Sequence, residues 1–241
     1  MQGSLYVGLS AQIALRDRLI TVAHNVANVG TPGFRAEQAK FDAVVARAGE
    51  QRVAFVTTED AYLSRQPGGL QRTDNPLDVG IVGEGFMALQ TPQGTAYTRD
   101  GRMFMAPSGA LVSVAGYPIV DVGGQPLTLD PTAGPPAITR DGMISQQGRQ
   151  IGAIGLFAID PAAKLSRFEN SGVVPDRPAA AILDYTRNGL VQGFSEGSNV
   201  SGVAEMSRLI QIERAFEGVV NAMATSEQNF TEAIRMLGGA S

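Results

Sequence analysis

The residues best suited to chemistry in this 241-residue chain are few and scattered. His24 is the only histidine, and it lies among apolar residues of helical spacing, which favours a packed or partly exposed side chain over a general base. Nothing in the sequence places it beside a serine in a catalytic triad. Because the chain has no cysteine, disulfides, thiolate metal sites and cysteine nucleophiles are excluded.

The glycines and the acidic residues offer no further site. Gly80, Gly83 and Gly85 lack the dinucleotide-binding spacing, and no helical pattern follows them, so a tight strand crossing or a β-bulge explains them better. The acidic residues show neither the spacing of a calcium loop nor a carboxylate pair that sequence alone brings together. We therefore expect no catalytic residue, no metal, no cofactor and no enzymatic activity.

Composition excludes further classes of partner. The net charge is −4 and there is no basic run, whereas nucleic-acid binding needs a cationic face. No apolar run has the length of a membrane span, so we expect no membrane insertion. The N-terminal segment lacks a basic start and is interrupted by Arg16, Asp17 and Arg18, so a cleaved secretory signal is not expected.

The elements that position these residues begin with an N-terminal helix, predicted from Ser4 to Val29 by two apolar stripes. The first stripe comprises Leu15, Leu19, Val22, Val26 and Val29. The second comprises Tyr6, Leu9, Ile13, Ile20, Ala23 and Ala27. Two stripes indicate a helix that is buried on more than one side.

A second helix is predicted from Val200 to Leu237, where ten positions alternate three and four apart as in a coiled coil, and all but Glu213 and Glu227 are apolar. This stripe contains Met206, Leu209, Phe216, Val220, Met223, Phe230, Ile234 and Leu237. Ser198, Asn199 and Ser201 offer N-cap oxygens, and Gly238 and Gly239 end the helix. Because one short partner helix cannot cover such a stripe along its whole length, we expect contacts with other chains as well.

An abrupt break follows the first helix, in the stretch ANVGTPGFR. We expect Asn28 and Gly30 to end the helix in a left-handed cap. Gly33 frees the backbone, and Phe34 anchors the chain as it leaves. The break is therefore interpreted as a hinge.

Short apolar runs separated by Gly, Pro and Asp predict a β-rich region over residues 66–193. Two near-identical tetrapeptides, at residues 98–101 and 139–142, contain Asp-Gly and predict type I′ hairpin turns. Between residues 34 and 65 the pattern is mixed: residues 36–48 are compatible with a continuing helix, and the segment after them with a strand.

The predicted fold class is therefore α+β, with N- and C-terminal helices that pair as a coiled coil and a central all-β domain. The expected boundaries are residues 1–33 for the first helix and hinge, 34–65 for a connecting segment, 66–193 for the β domain and 194–241 for the second helix. Terminal helices that need partners suggest an assembly.

Three separated stretches resemble one family, the axial proteins of the bacterial flagellum. The N-terminal motif matches at Asn28, Thr31, Gly33, Phe34 and Arg35. The stretch that begins at Asn75 is similar to the β domain of the rod and hook group. The C-terminal motif matches at Ser198, Asn199, Val200, Arg214, Ala215 and Glu217.

The resemblance implies a structural subunit that leaves the cell unfolded through the flagellar type III export apparatus and stacks helically with copies of itself and neighbouring rod proteins. It also implies terminal helices that line an inner tube, a β domain in the outer layer, and a location in the basal-body rod. Length and the N-terminal segment favour the proximal rod over the distal rod. A secreted β-rich adhesion module, oligomerised by its helices, is the alternative from another class.

Overall fold

The computed structural model describes residues 2–38, 41–48, 51–58 and 62–239, with side chains for 6–38 and for 62–239 apart from Phe230 and Leu237. Over these ranges the chain is a mixture of two long helices and nineteen short strands. It divides into two compact units. Unit 1 comprises Met1–Ala27, Glu37–Ala61 and Ser201–Ser241, and unit 2 comprises Asn28–Ala36 and Tyr62–Val200.

Unit 1 contains both helices and the first three strands. Their bounds are α1 Gln2–Ala27, β1 Glu37–Gln38, β2 Phe41–Ala48, β3 Gln51–Thr58 and α2 Gly202–Gly238. Within this unit α1 packs against α2 and against β3. The strands β2 and β3 form an antiparallel hairpin in which Phe41 lies opposite Thr58, so the interpretation of residues 36–48 as a helix is wrong. Its β-branched valines suit a paired strand better than a helix.

The ends of α2 follow from capping residues. Ser201 is the N-cap, with an extended backbone and a hydroxyl that accepts from the amide of Ala204. Gly239 is the C-cap, and its amide donates to the carbonyl of Arg235. One of the three proposed N-cap residues and the glycine end are therefore confirmed.

Unit 2 is built from the remaining strands. These are β4 Tyr62–Leu63, β5 Leu70–Arg72, β6 Val79–Val82, β7 Phe86–Thr91, β8 Gly94–Thr98, β9 Met103–Met105, β10 Leu111–Ser113, β11 Ala137–Ile138, β12 Met143–Gln146, β13 Arg149–Ala153, β14 Leu156–Ala158, β15 Leu165–Phe168, β16 Gly172–Pro175, β17 Ala180–Ala181, β18 Gly189–Gln192 and β19 Phe194–Glu196. The largest sheet has the antiparallel order β15-β16-β8-β7-β14-β17. The two last strands return to early ones, since β18 pairs with β6 and β19 with β5.

The core of unit 2 is aliphatic. Its largest cluster includes the fully buried side chains of Met87, Leu111, Ile119, Ile144 and Ile154. Burial of this kind stabilises by about 1.5–3 kcal/mol for each large side chain. The β-rich region predicted over residues 66–193 thus folds around one continuous core, with a smaller cluster around Phe86 and Val173.

The two Asp-Gly tetrapeptides are not alike. At residues 139–142 a turn joins β11 to β12, and the amide of Gly142 donates to the carbonyl of Thr139. Only Gly142 has a positive φ there, so the turn is not type I′. At residues 98–101 the prediction of a hairpin is wrong, because β8 pairs with β7 and β16 whereas β9 pairs with β10.

Neither described helix is apolar enough over a sufficient length to cross a lipid bilayer.

Candidate functional site

The two sequence motifs meet inside unit 2, although they lie far apart along the chain. The amide of Ala36 donates to Oδ1 of Asn199 at 2.7 Å, across 163 residues of sequence. The amide of Asn199 donates to the carbonyl of Phe34, and the amide of Gly33 to the carbonyl of Glu196 at 2.8 Å. We call this cluster the clasp and define it as residues 33–36, 64–68, 99 and 196–199.

Asn199 binds two other segments of the chain, residues 33–36 and 64–68, with one amide group. Its Nδ2 donates to the hydroxyl of Ser64 at 3.1 Å and to the carbonyl of Gln66 at 2.7 Å. Its Oδ1 accepts from Ala36, as described above. Because both donors and the acceptor of the amide are used, the orientation of this side chain is fixed.

A buried ion pair lies beside this amide. The side chains of Arg99 and Glu196 are each 1% exposed. Oε2 of Glu196 accepts from Nε of Arg99 at 2.7 Å and lies 2.6 Å from its Nη2. The remaining donors of Arg99 reach the carbonyls of Gly83, Gly85 and Ile81 at 2.5–3.0 Å, so this guanidinium is fully bonded within the core.

Arg35 is a second cation on the same carboxylate. Its Nη2 lies 3.3 Å from Oε1 of Glu196, and its Nη1 donates to the carbonyl of Gln66. The amide of Gly68 donates to the same Oε1 at 2.9 Å. The ring of Phe86 lies 5.8 Å from the guanidinium of Arg35 and 5.7 Å from that of Arg99, which adds a cation–π attraction to both.

The clasp therefore holds two buried cations and one anion. Burial, together with the nearby charge of Arg99, lowers the pKa of Arg35 to about 10, and Glu196 opposes the change. Arg35 stays protonated at neutral pH, so the buried guanidinium depends on Glu196, on carbonyl oxygens and on the ring for compensation. Removal of Glu196 leaves both cations without a counter-ion.

Phe34, which lies between Gly33 and Arg35, is also held in place by its neighbours. Phe34 is fully buried, and the guanidinium of Arg167 lies 4.4 Å above its ring. Arg167 donates to the carbonyl of Arg35 at 2.8 Å, and the hydroxyl of Ser171 donates to that of Pro32 at 2.8 Å. The chain after the first helix is thus held by strand β15 and by the turn between β15 and β16.

The break after α1 is built differently from the prediction. Neither Asn28 nor Gly30 has a positive φ, so the proposed left-handed cap is wrong. A turn closes instead, in which the amide of Thr31 donates to the carbonyl of Asn28 and its hydroxyl to the side chain of Asn28. The left-handed residue is Gly33, with φ +68°.

Gly33 is required by space as well as by conformation. A Cβ atom there would lie 2.3 Å from the backbone nitrogen of Asp100. Because a non-glycine residue in the left-handed region costs about 1–2 kcal/mol before any clash, we expect Gly33→Ala to lower the free energy of unfolding by more than that. Gly30→Ala is the matched control, since nothing lies within 4 Å of its Cβ position. Equal thermal midpoints for the two variants would contradict this explanation.

The predicted helix-packing residues of α1 face both inwards and outwards. Val22 is buried, and Leu15, Leu19 and Val26 are half-buried. The second stripe stays uncovered in the single chain, since its large members Tyr6, Leu9, Ile13 and Ile20 are exposed.

In α2 most of the predicted stripe is uncovered. Leu209 and Met223 are half-buried, and Met206, Phe216, Val220 and Ile234 are exposed. The motif residues Arg214, Ala215 and Glu217 are exposed as well, while the side chains of Phe230 and Leu237 lie outside the described residues. The buried side chains of α2 are instead Ile212 and Glu205, the latter paired with Arg208. The two helices approach closely at Gly8, where a Cβ would lie 2.8 Å from the side chain of Met223.

The single histidine lies beside an acidic side chain. His24 lies 3.3 Å from the carboxylate of Glu37, and both side chains are partly exposed. The neighbouring Asn25 is buried and exchanges two hydrogen bonds with the backbone of Glu37. Within the part of the chain that the structure describes, no group of acidic or histidine side chains could hold a metal ion.

Arg99 and Glu196 are the site residues that sequence reasoning missed. The sequence pattern predicts a hairpin turn at Arg99, and Glu196 stands just before the C-terminal motif. The signals in the sequence are that Arg99 lies within the stretch similar to the β domain and that Glu196 lies two residues before Ser198. A pair separated by 97 residues leaves no periodic pattern.

Comparison with known proteins gives three matches to family models along the chain. Residues 5–35 match the flagella basal body rod protein family. Residues 80–146 match the D1 domain of the flagellar hook proteins FlgE, FlgF and FlgG. Residues 191–236 match the C-terminal region of the flagellar basal body rod FlgEFG proteins. Together these matches contain Arg35, Arg99, Glu196 and Asn199.

Full-length relatives agree with the family models. The flagellar basal-body rod protein FlgF of Mesorhizobium japonicum is 46% identical over 100% of both chains. FlgF of Rhizobium meliloti is 43% identical over 99% of both. The flagellar basal-body rod protein FlgG of Bacillus subtilis is 28% identical over 98% of this chain and 99% of its own.

Proposed function

The chain belongs to the flagellar basal-body rod protein family, and from this premise we propose that it forms the proximal rod as a structural subunit that transmits torque from motor to hook. The observation that carries the proposal is the similarity along the whole chain to proteins named FlgF. The family is structural rather than enzymatic, and its place in the cell is the rod of the flagellar basal body.

The distal rod is a weaker assignment. Relatives named FlgG are 28–30% identical to this chain, whereas two relatives named FlgF reach 43% and 46%. A secreted adhesion module is not favoured either, because the family matches include both helical ends of the chain as well as its β region.

Pairing of α1 and α2 as a coiled coil is part of the proposal. It is supported by their packing in unit 1 and by the close approach at Gly8 and Met223. In the assembled rod, residues 1–33 and 194–241 would form the inner tube, 34–65 the connection and 66–193 the outer layer.

The second part of the proposal is polymerisation through the apolar stripes of α1 and α2 that the single chain leaves exposed. An isolated chain leaves large apolar side chains in water on both helices, and their burial between subunits would contribute about 1.5–3 kcal/mol for each one fully covered. Such contacts resist slipping without any reactive group, which is what transmission of torque requires. Neighbouring rod proteins and other copies of this chain are the proposed partners, and type III export is the proposed route.

Deletion of the gene tests this function. We expect assembly to stop before the hook, so that purified basal bodies lack both a complete rod and a hook, and a plasmid copy should restore them. Electron microscopy of basal bodies from the deletion strain is the measurement. Complete rods and hooks in that strain would exclude the proposed function.

A further inference from the structure

We infer that the clasp is the point at which mechanical load passes between unit 1 and unit 2. The inference rests on the proposed function, since it needs a chain under load. It adds a role for the side chains of the clasp, Arg35, Arg99, Glu196 and Asn199. Their bonds hold, inside unit 2, the ends of the chain segments that connect the two units.

The chain passes between the units four times. The divisions lie after residues 27, 36, 61 and 200. Any force that moves one unit against the other must act on these covalent connections, because they cannot separate. The question is what holds their ends inside unit 2.

All four ends are tied to the same cluster. The connection after residue 36 ends at Ala36, which is bonded to Asn199. The connection after residue 61 enters unit 2 just before Ser64, whose amide donates to the carbonyl of Ala36 and whose hydroxyl accepts from Asn199. The connection after residue 200 leaves directly from Asn199. The first connection reaches the cluster at Gly33, which donates to Glu196.

Asn199 is the positioning residue of this arrangement. Its side-chain amide is bonded to Ala36 and Ser64, which lie on two of the connections, and Asn199 itself lies on a third. A force on one of these connections is therefore shared with the other two. The buried carboxylate of Glu196 then ties the cluster to β5–β7 through Gly68 and Arg99. Charge-assisted hydrogen bonds that are shielded from water are stronger than neutral ones, which suits a point that carries load.

The experiment compares variants in a host whose own copy is deleted. Asn199→Asp keeps the acceptor for Ala36 and removes both Nδ2 donors, and Ser64→Ala removes one of their acceptors. The matched control is a core variant far along the sequence, Ile144→Val or Ile154→Val, chosen so that its thermal midpoint equals that of Asn199→Asp. Flagella per cell are counted at low load and after swimming in viscous medium.

We expect Asn199→Asp to assemble flagella at low load and to lose them several-fold faster than the matched control in viscous medium, with Ser64→Ala between the two. Equal losses in Asn199→Asp and the control would overturn the inference, because the effect would then be general destabilisation. Complete rods in the deletion strain would instead overturn the proposed function, which is a separate result.

A second measurement needs no assembly, and so it decides the matter if Asn199→Asp fails to build flagella. Since the chain has no cysteine, single cysteines at Ile20 in α1 and Leu183 in unit 2, both exposed, give attachment points for pulling one full-length chain. We expect a lower force for the first rupture in Asn199→Asp than in the control of equal thermal stability. The same rupture force in both would overturn the inference.

Discussion

Replacement of Glu196 by glutamine is expected to lower the free energy of unfolding of unit 2 by about 3–5 kcal/mol, the cost of removing one partner from a buried ion pair. Glutamine keeps the shape of the side chain and an oxygen for Gly68, but it leaves two buried guanidinium groups without an anion. The measurement is denaturant unfolding of the purified chain, monitored by the far-ultraviolet circular dichroism signal of β-sheet.

An exposed ion pair supplies the control. Asp74 pairs with Arg72 at 2.6 Å, and both side chains are 72% exposed. Asp74→Asn also replaces a carboxylate by an amide and removes one negative charge. It is expected to change the unfolding free energy by less than about 1 kcal/mol. If the Glu196 and Asp74 variants unfold at the same denaturant concentration, the charge of the clasp does not stabilise unit 2.

Phe216→Asp is expected to abolish rod assembly and motility while the isolated chain stays folded. Phe216 is 39% exposed in the single chain, so an aspartate there loses the burial of the covered part of the ring, while phenylalanine and aspartate have similar helix propensities. In an assembled rod the same change would place a carboxylate in an apolar interface. Motility in soft agar and the thermal midpoint of the purified variant are the two measurements.

Phe104→Asp is the matched control, because Phe104 is 44% exposed and lies on β9 of unit 2. It carries the same substitution at a similar exposure outside the helices, and we expect it to assemble. A Phe216→Asp strain that swims as well as this control would show that the α2 stripe does not contact other subunits.

The helices were predictable from sequence because their signal is long and periodic. The predicted helices, Ser4–Val29 and Val200–Leu237, differ by about two residues at each end from α1 and α2. The covered face of α2 was harder to predict, since Ile212 is buried while Met206 is exposed. Apolar residues lie on more than one side of this helix, and periodicity does not say which side meets α1.

Short-range rules failed where tertiary structure decides the conformation. Arg99, Asp100 and Gly101 have the composition of a hairpin turn, yet Arg99 turns into the core to meet Glu196. A Cβ at Gly101 would lie 1.7 Å from the carbonyl of Val79, so this glycine serves close backbone packing rather than a turn. Propensity cannot distinguish the two uses.

The sequence predicts some of the residues of the clasp but not their contacts. Gly33, Phe34, Arg35 and Asn199 were identified through resemblance, which marks motif residues but not what they touch. Their partners lie across the whole length of the chain, and only the fold brings them together. Gly33 has the left-handed conformation that glycine adopts most readily, and the hinge at this position stays a prediction.

The central claim is that neighbouring subunits cover the helix faces that the single chain leaves exposed, and cysteine labelling tests it most directly. In a chain without native cysteine, Ile20→Cys and Val220→Cys should react quickly with a maleimide in the purified monomer, as should Leu183→Cys in unit 2. In purified basal bodies we expect both helix positions to be protected. Reaction of Ile20→Cys and Val220→Cys in basal bodies at the monomer rate would contradict the account.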